Sequence, residues 1–302
     1  MLRKLSFSGP LLIIVAALLW AFDGLIRQHL YSLPPITIIF FEHLIGLFIL
    51  LPFALPYVFK AKIEKREWWL IVLLSVLSGV LGTLWFTTAL GKVNYISLSV
   101  VFLLQKLQPL FAISTAIFFL KEKFEKKYLI WAPVAIIAAF LVTFKNGIVD
   151  LSTGEGTAIA VLYALGAAFA WGSSTTFSKM LLNKVRSEVS MFYRFVLTLV
   201  LSFILLVTFG HSASLFEPTL SQLGFFALIG ISTGMVALLI YYKGLAKTSV
   251  HISTILELTF PFIAIFIDMK VNHTTLSLTQ WLAAFVLVFS IYQIARLRES
   301  QA

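Results

Sequence analysis

Six ionisable side chains lie in stretches of the sequence that are otherwise apolar, where water cannot solvate a charge: Asp23, Glu42, His43, Lys106, Arg194 and Glu257. A charge at the centre of a membrane-spanning helix costs about 2.5–3.5 kcal/mol on insertion scales. Such residues are therefore usually paired with one another or face a cavity. Carboxylates and an imidazole suit proton transfer, whereas ammonium and guanidinium groups suit the binding of an anionic group.

Asp23 and Glu42 are predicted to lie at the same depth in a membrane. Asp23 is seven residues before the end of the first predicted span at Leu30, and Glu42 is seven residues after the second begins at Pro35. At 1.5 Å per residue, both carboxylates lie about 10 Å inside the layer. His43, next to Glu42, is of the residue type that changes charge near neutral pH. The sequence therefore predicts proton coupling at Asp23, Glu42 and His43.

Glu42 and His43 also have a structural interpretation. The alternative for Glu42 is a permanent salt bridge to Arg194 or Lys106. The alternative for His43 is a hydrogen bond to a neighbouring helix. Because adjacent residues on a helix differ by about 100° in direction, the two side chains cannot both face one cavity.

A second set of residues is predicted to bind a substrate. Lys106 and Glu257 lie in the middle of two predicted spans and are expected to pair near the membrane centre. Aromatic rings at similar depths favour a cationic or zwitterionic organic solute through cation–π attraction. The predicted substrate-binding residues are Trp20, Asp23, Gln105, Lys106, Trp171, Tyr193, Arg194 and Glu257.

The composition is that of an integral membrane protein. Of the 302 residues, 60% are hydrophobic and only 12% are charged, and the mean hydropathy is +0.99. Too little polar surface remains to cover a soluble globule of this size. Apolar runs of about 20 residues, the length of a helix that crosses the membrane, recur along the chain. Because cysteine is absent, the chain can form no disulfide and no thiolate metal site.

The predicted fold is an all-α integral membrane protein with ten transmembrane helices. The predicted spans cover residues 9–30, 35–58, 68–90, 95–119, 128–145, 157–178, 188–209, 221–242, 249–268 and 278–295. With the N-terminus in the cytoplasm, 17 of the 23 Lys and Arg residues fall on the cytoplasmic side. The positive-inside rule therefore places both termini in the cytoplasm. Basic loops that face anionic lipid account for the net charge of +10 without a nucleic-acid partner.

The sequence contains an internal repeat. A shift of 151 residues places ALLWAFDGLIRQHL over AFAWGSSTTFSKML, with Trp20 on Trp171, and FFEHLIG over MFYRFVL. A shift of 152 places Pro109 on Pro261. The predicted halves are residues 1–150 and 151–302, each with five spans. Because five is odd, the halves are expected to be inverted, as in secondary transporters with a substrate site at the repeat interface.

These landmarks identify a resemblance. With its Trp-Ala and Trp-Gly pairs at Trp20 and Trp171, its paired prolines and the stretch FFLKEKFEKK, the sequence resembles the ten-helix EamA-type branch of the drug/metabolite transporter superfamily. The resemblance implies a transporter in a bacterial inner membrane. In that family a glutamate commonly follows the fourth span, as Glu122 does here, and usually has a counterpart in the second half, where this sequence has Thr274. We therefore expect Glu122 to lie in a solvated basic loop.

The predicted function is secondary active transport of a small metabolite by alternating access, coupled to protons. No zinc spacing, phosphate-binding glycine loop or GxSxG motif indicates an enzyme, and no cofactor is expected. Family resemblance suggests an amino acid or a related zwitterion or amine as the substrate, and a monomer as the working unit. Two alternatives remain: an anion or sugar-phosphate counter-exchanger that uses Lys106 and Arg194, and a membrane interaction protein that does not transport.

Overall fold

The computed structural model describes residues 8–91, 107–148, 157–260, 263, 266–267, 270 and 276–297. Every regular element in these ranges is helical, which confirms the all-α prediction. Gln105 and Lys106 lie outside the described residues, and so does the predicted contact between Lys106 and Glu257. Thr274 lies outside them as well.

Thirteen α-helices occur in the described part of the chain. They are α1 Gly9–Trp20, α2 Asp23–Arg27, α3 Pro35–Val58, α4 Lys65–Leu74, α5 Thr83–Gly91, α6 Gln108–Thr115, α7 Lys126–Thr143, α8 Thr157–Leu182, α9 Ser187–Thr208, α10 Leu220–Ile231, α11 Met235–Leu245, α12 Val250–Leu256 and α13 Leu278–Ala295. A π-helical segment, Ser75–Gly82, joins α4 to α5, and a second, Ala116–Leu120, follows α6.

Local sequence signals account for several helix starts. Pro35 occupies the first turn of α3, where a missing backbone N–H costs nothing. Capping boxes begin α10 and α13: Thr219 and Ser277 each accept a hydrogen bond from the third residue of the helix, a glutamine that bonds back to the cap. These caps satisfy amide groups that a helix leaves unpaired at its N-terminus.

Six helical stretches among the described residues are long and apolar enough to cross a membrane: Gly9–Arg27, Pro35–Val58, Lys65–Ala89, Ser187–Thr208, Leu220–Leu245 and Leu278–Ala295. They correspond to the first, second, third, seventh, eighth and tenth predicted spans. The predicted spans 128–145 and 157–178 are occupied by the helices α7 and α8. The total of ten spans stays a prediction.

The helices α3 and α9 pack as antiparallel neighbours. Near the start of α3, the apolar residues Ile36 and Ile39 cluster with Leu206 near the end of α9. At the other end of α3, the Arg186 guanidinium lies 3.9 Å from the centre of the Tyr57 ring. The two helices therefore run in opposite directions along their whole length. The pairs α1 with α11, α6 with α8, and α7 with α13 also pack against each other.

Two of the apolar stretches are broken near their middle, and the breaks lie side by side. The first is interrupted at Ala21–Phe22, between α1 and α2, and the other at Ser232–Gly234, between α10 and α11. Glycines let α1 and α11 approach closely, since a Cβ on Gly244 would lie 2.9 Å from the Gly9 carbonyl oxygen. Broken helices deep in a membrane protein expose backbone groups and often line a substrate site.

Candidate functional site

Arg27 joins the two carboxylates that were predicted to share a depth. Its guanidinium donates to Asp23 over 2.6 and 3.3 Å and to Glu42 over 3.0 and 3.1 Å. Thr233, in the break between α10 and α11, donates to Asp23 over 2.6 Å. These four residues, called the Arg27 network below, connect the two broken helices to α3.

The Arg27 network corrects two expectations. The first predicted span ends at Leu30, and the position of Arg27 near that end predicts a side chain solvated at the membrane surface, but only 11% of the side chain is exposed. Among the described residues, Glu42 pairs with Arg27 and not with Arg194, whereas Lys106 lies outside them. Because Asp23 and Glu42 both bond Arg27, they lie close together, in agreement with the prediction that they share a depth. Two carboxylates against one guanidinium leave the network with a formal charge of −1 when all three groups are ionised.

Glu257 lies in a second cluster, formed by α1, α11 and the end of α12. Tyr241 donates a hydrogen bond of 2.7 Å to the Glu257 carboxylate, and the Tyr241 ring lies 5.2 Å from that of Trp20. Within the described ranges, Glu257 has no cationic group at salt-bridge distance. These three residues, Trp20, Tyr241 and Glu257, are called the Glu257 site below. They place a carboxyl group and two aromatic rings beside the break between α1 and α2.

Arg194 is buried among hydroxyl groups. Its guanidinium donates to the hydroxyls of Tyr242 and Ser78, each over 2.6 Å, and Tyr242 also lies 3.3 Å from the hydroxyl of Ser178. Only 7% of Arg194 is exposed, and its Nε has no hydrogen-bond partner among the described residues. Arg194, Ser78, Ser178 and Tyr242 are called the Arg194 network below. Its guanidinium charge is not balanced by a carboxylate in that part of the chain.

Neighbouring tyrosines connect the Arg194 network to the Glu257 site. Tyr241 and Tyr242 are adjacent on α11, and their rings lie 6.4 Å apart. Tyr241 bonds Glu257, whereas Tyr242 bonds Arg194. Neither tyrosine is among the residues predicted from sequence, although the pair of tyrosines at the end of the predicted span 221–242 was a visible signal.

Of the remaining predicted residues, Trp171 contacts the Arg194 network, whereas Tyr193 and His43 contact other aromatic rings. Trp171 donates to the carbonyl oxygen of Ser78 over 3.4 Å, so its indole packs on the π-helical segment that carries Ser78. Tyr193 packs against Trp68 with ring centres 4.8 Å apart. His43 bonds the carbonyl oxygen of Ile39, one turn earlier in its own helix, rather than a neighbouring helix. Its ring lies 4.8 Å from that of Phe195.

Glu122 is not in a solvated loop, contrary to the expectation from its basic surroundings. Its carboxylate accepts hydrogen bonds from the backbone amides of Val250 and His251, over 2.8 and 3.2 Å, and contacts His251 Nδ1 at 2.6 Å. Only 11% of the side chain is exposed. Glu122 thus caps α12, the helix that ends beside Glu257.

These contacts set the ionisation of Glu122. Burial alone raises the pKa of its carboxyl group, but hydrogen bonds from the His251 side chain and the Val250 amide outweigh burial and lower the pKa below its usual value. A carboxylate with a lowered pKa in the folded state stabilises the protein above its unfolded-state pKa. This stabilisation is lost as the pH falls through the folded-state value.

The substitution Glu122→Gln is therefore expected to destabilise the protein at neutral pH, by about 1–2 kcal/mol. The difference from wild type should shrink as the pH falls from the usual glutamate pKa of about 4.5 through the lower folded-state value, because the wild-type carboxylate then becomes neutral as well. Thermal unfolding in detergent at several pH values measures both effects. Glu125→Gln is the matched control, since Glu125 caps nothing with its side chain. A difference that persists undiminished at low pH would contradict the ionised cap.

The chemistry of these groups suits a polar solute or a proton. Among the described residues, no group of three or more His, Asp and Glu side chains could hold a metal ion. The carboxyl, guanidinium and aromatic groups instead lie around two broken helices near the middle of the bundle.

Comparison with known proteins identifies relatives along nearly the whole chain. The model of the EamA-like transporter family matches residues 7–144 and 158–296. The riboflavin transporter ImpX of Fusobacterium nucleatum is 33% identical over 293 residues, which cover 96% of this chain and 98% of that protein. The uncharacterized inner membrane transporter YhbE of Escherichia coli K12 is 24% identical, over 95% of this chain and 91% of that protein.

A solved crystal structure shares the fold. It superposes with a TM-score of 0.74 at 16% sequence identity, and the match covers 94% of this chain and 95% of that chain. Similarity at this level of identity concerns the fold alone.

Proposed function

Because the chain belongs to the EamA-like transporter family, we propose that it carries riboflavin or a closely similar flavin across the membrane by secondary active transport. The chain is a multi-pass membrane transporter and not an enzyme. The observation that carries the choice of substrate is the riboflavin transporter of Fusobacterium nucleatum, to which this chain is similar over almost its full length.

The Glu257 site has the chemistry that a flavin requires. Riboflavin consists of a planar aromatic ring system and a polyol chain, and it is uncharged near neutral pH. Stacking of an aromatic base on an aromatic side chain is worth about 1–3 kcal/mol, and Trp20 and Tyr241 offer such faces. The Glu257 carboxyl group and the hydroxyls of the Arg194 network supply hydrogen bonds for the polyol and the ring carbonyls.

A zwitterion such as an amino acid is the second candidate. Glu257 and Arg194 have opposite charges and are connected through adjacent tyrosines of α11. An ammonium group could contact Glu257 while a carboxylate contacts Arg194. The anion-exchange alternative also uses Lys106, which lies outside the described residues, and it stays a prediction.

For proton coupling we favour Glu257 as the carrier. Asp23 and Glu42, the carboxylates predicted from sequence, both bond Arg27, and a paired cation favours their ionised forms. Glu257 bonds a neutral hydroxyl instead. His43 would then support helix packing beside Phe195. Asp23 and Glu42 remain the competing assignment.

Alternating access would follow from two inverted halves, with boundaries near residue 150 and both termini in the cytoplasm. The pairs α3 with α9 and α7 with α13 support this proposal, because each joins the corresponding span of the two halves. We also propose that one chain encloses the substrate site by itself, so that the transporter works as a monomer.

Transport and binding assays test the substrate. Purified protein in liposomes is expected to take up riboflavin in response to a proton gradient, and riboflavin should raise its unfolding temperature. Trp20→Ala should lower uptake by roughly tenfold or more, as the loss of one stacking face predicts. Trp69→Ala is the matched control because its side chain is 67% exposed.

Amino acids and amines are tested in the same assays. Uptake of a zwitterion without uptake of riboflavin would establish the second candidate in place of the first. Binding of phosphorylated compounds alone would favour anion exchange. Failure of all three classes to bind or move would contradict the proposed site.

A further inference from the structure

The Arg27 and Arg194 networks occupy corresponding places in the internal repeat. The shift of 151 residues places Arg27 on Ser178 and His43, the neighbour of Glu42, on Arg194. Each network therefore joins the first and second spans of one half. The correspondence extends to a third span, taken from the opposite half, while Tyr242 on α11 belongs to the Arg194 network alone.

In each network, the residue from the opposite half lies where a long helix departs from α-helical geometry. Ser78 lies in the π-helical segment between α4 and α5, and Thr233 lies in the break between α10 and α11. A glycine follows each of them, and a shift of 155 residues superposes the two dipeptides. Thr233 bonds Asp23 in one network, and Ser78 bonds Arg194 in the other.

The networks lie on opposite sides of the bundle centre. Glu42 is seven residues from the start of α3 at Pro35, and Arg194 is seven residues from the start of α9 at Ser187. Because α3 and α9 are antiparallel, each network is about 10 Å from a different end of the bundle. These ends are called the Pro35 end and the Ser187 end below. The positive-inside rule assigns the Pro35 end to the outside.

Their bonding differs in strength. The Arg27 network contains four contacts between a guanidinium and carboxylates. The Arg194 network contains two bonds from a guanidinium to neutral hydroxyls. Bonds from a guanidinium are charge-assisted in both networks. The Arg27 network has twice as many of them, and opposite charges on the two partners add a Coulomb attraction that neutral hydroxyls do not supply.

We infer that the two networks are the two gates of the transport cycle, and that the Arg27 network is the stronger gate, which keeps the resting protein closed at the Pro35 end. The inference rests on the proposed transport function. Opening the Pro35 end requires α2 to separate from α3 and from the break between α10 and α11. Opening the Ser187 end requires α9 to separate from the π-helical segment and from α11.

The chain permits a direct test because it contains no cysteine. Ala237 is fully buried on α11, one turn beyond Thr233 and one turn before Tyr241, so it lies between the Arg27 network and the Glu257 site. A single Ala237→Cys reporter is labelled with a membrane-impermeant maleimide in right-side-out and in inside-out vesicles. The labelling rate from each side reports how often each end opens, and it needs no substrate.

Two background substitutions should shift labelling in opposite directions. Glu42→Gln weakens the Arg27 network and is expected to raise labelling from the Pro35 end by about tenfold while lowering it from the Ser187 end. Ser78→Ala weakens the Arg194 network and should raise labelling from the Ser187 end. Ser212→Ala, at an exposed position in a short 3-10 helix, serves as the control for effects unrelated to the two networks.

The outcomes separate this inference from the proposed function. An increase from both sides in either variant would mean general loosening and would overturn the assignment of gates. Unchanged labelling in both variants would overturn it too. Opposite shifts in a protein that fails to move riboflavin would support the gates and reject the substrate.

Discussion

Replacing Arg27 by methionine is expected to lower the free energy of unfolding by about 3 kcal/mol or more. The guanidinium pairs with both Asp23 and Glu42, whose side chains are only 24% and 16% exposed. Without Arg27 the two carboxylates would repel each other at a depth where water cannot solvate them. Thermal unfolding of the purified variant in detergent measures the loss.

Neutralising the carboxylates should restore much of this stability. The triple variant Arg27→Met, Asp23→Asn, Glu42→Gln contains no uncompensated charge, so it is expected to unfold closer to wild type than Arg27→Met alone. Arg66→Met is the control for loss of a basic residue at an exposed position. If Arg27→Met unfolds at the wild-type temperature, the ion pairs contribute nothing to stability.

Replacing Glu257 by glutamine is expected to abolish concentrative uptake, lowering its rate by roughly a hundredfold, the scale at which a proton-transferring group contributes. The amide has the same shape and can still accept the hydrogen bond from Tyr241, so the protein should fold. It cannot carry a proton. Exchange of labelled for unlabelled substrate across the membrane, which needs no net proton movement, should persist in Glu257→Gln.

The same two assays compare the competing carboxylates. Asp23→Asn and Glu42→Gln should retain coupling to a proton gradient if Glu257 is the carrier, although both alter the Arg27 network. Loss of concentrative uptake with intact exchange in Glu42→Gln, but not in Glu257→Gln, would return the carrier role to the residue predicted from sequence. Loss of both uptake and exchange in Glu257→Gln would assign Glu257 to substrate binding instead.

Some contacts could not be predicted because pattern analysis treats each span separately. Arg27 was interpreted from its position near a span end, yet it is four residues from Asp23, the spacing that brings side chains together on a helix. Glu122 was interpreted from the basic residues around it, whereas its partners, Val250 and His251, are distant in the sequence. The Ser-Thr-Gly stretch at Ser232–Gly234 was a local signal of a break that the predicted span ignored.

The sequence by itself determined the class of the protein, several of its helical spans and its family. The predicted spans 35–58, 188–209 and 278–295 agree with α3, α9 and α13 within a residue at each end. Backbone N–H and C=O groups inside a membrane cannot hydrogen-bond to water. A long apolar run therefore forms a helix, in which these groups bond within the segment. This constraint is local, and the sequence records it directly.

Only the tertiary structure decided which polar groups meet. The partners of Glu42, Glu257 and Arg194 depend on how helices are rotated and on where the first and eighth spans break. Helix packing determines those rotations through close contacts such as that of Gly9 with Gly244. A buried charge must find a partner, but its type and spacing do not say which helix will supply it.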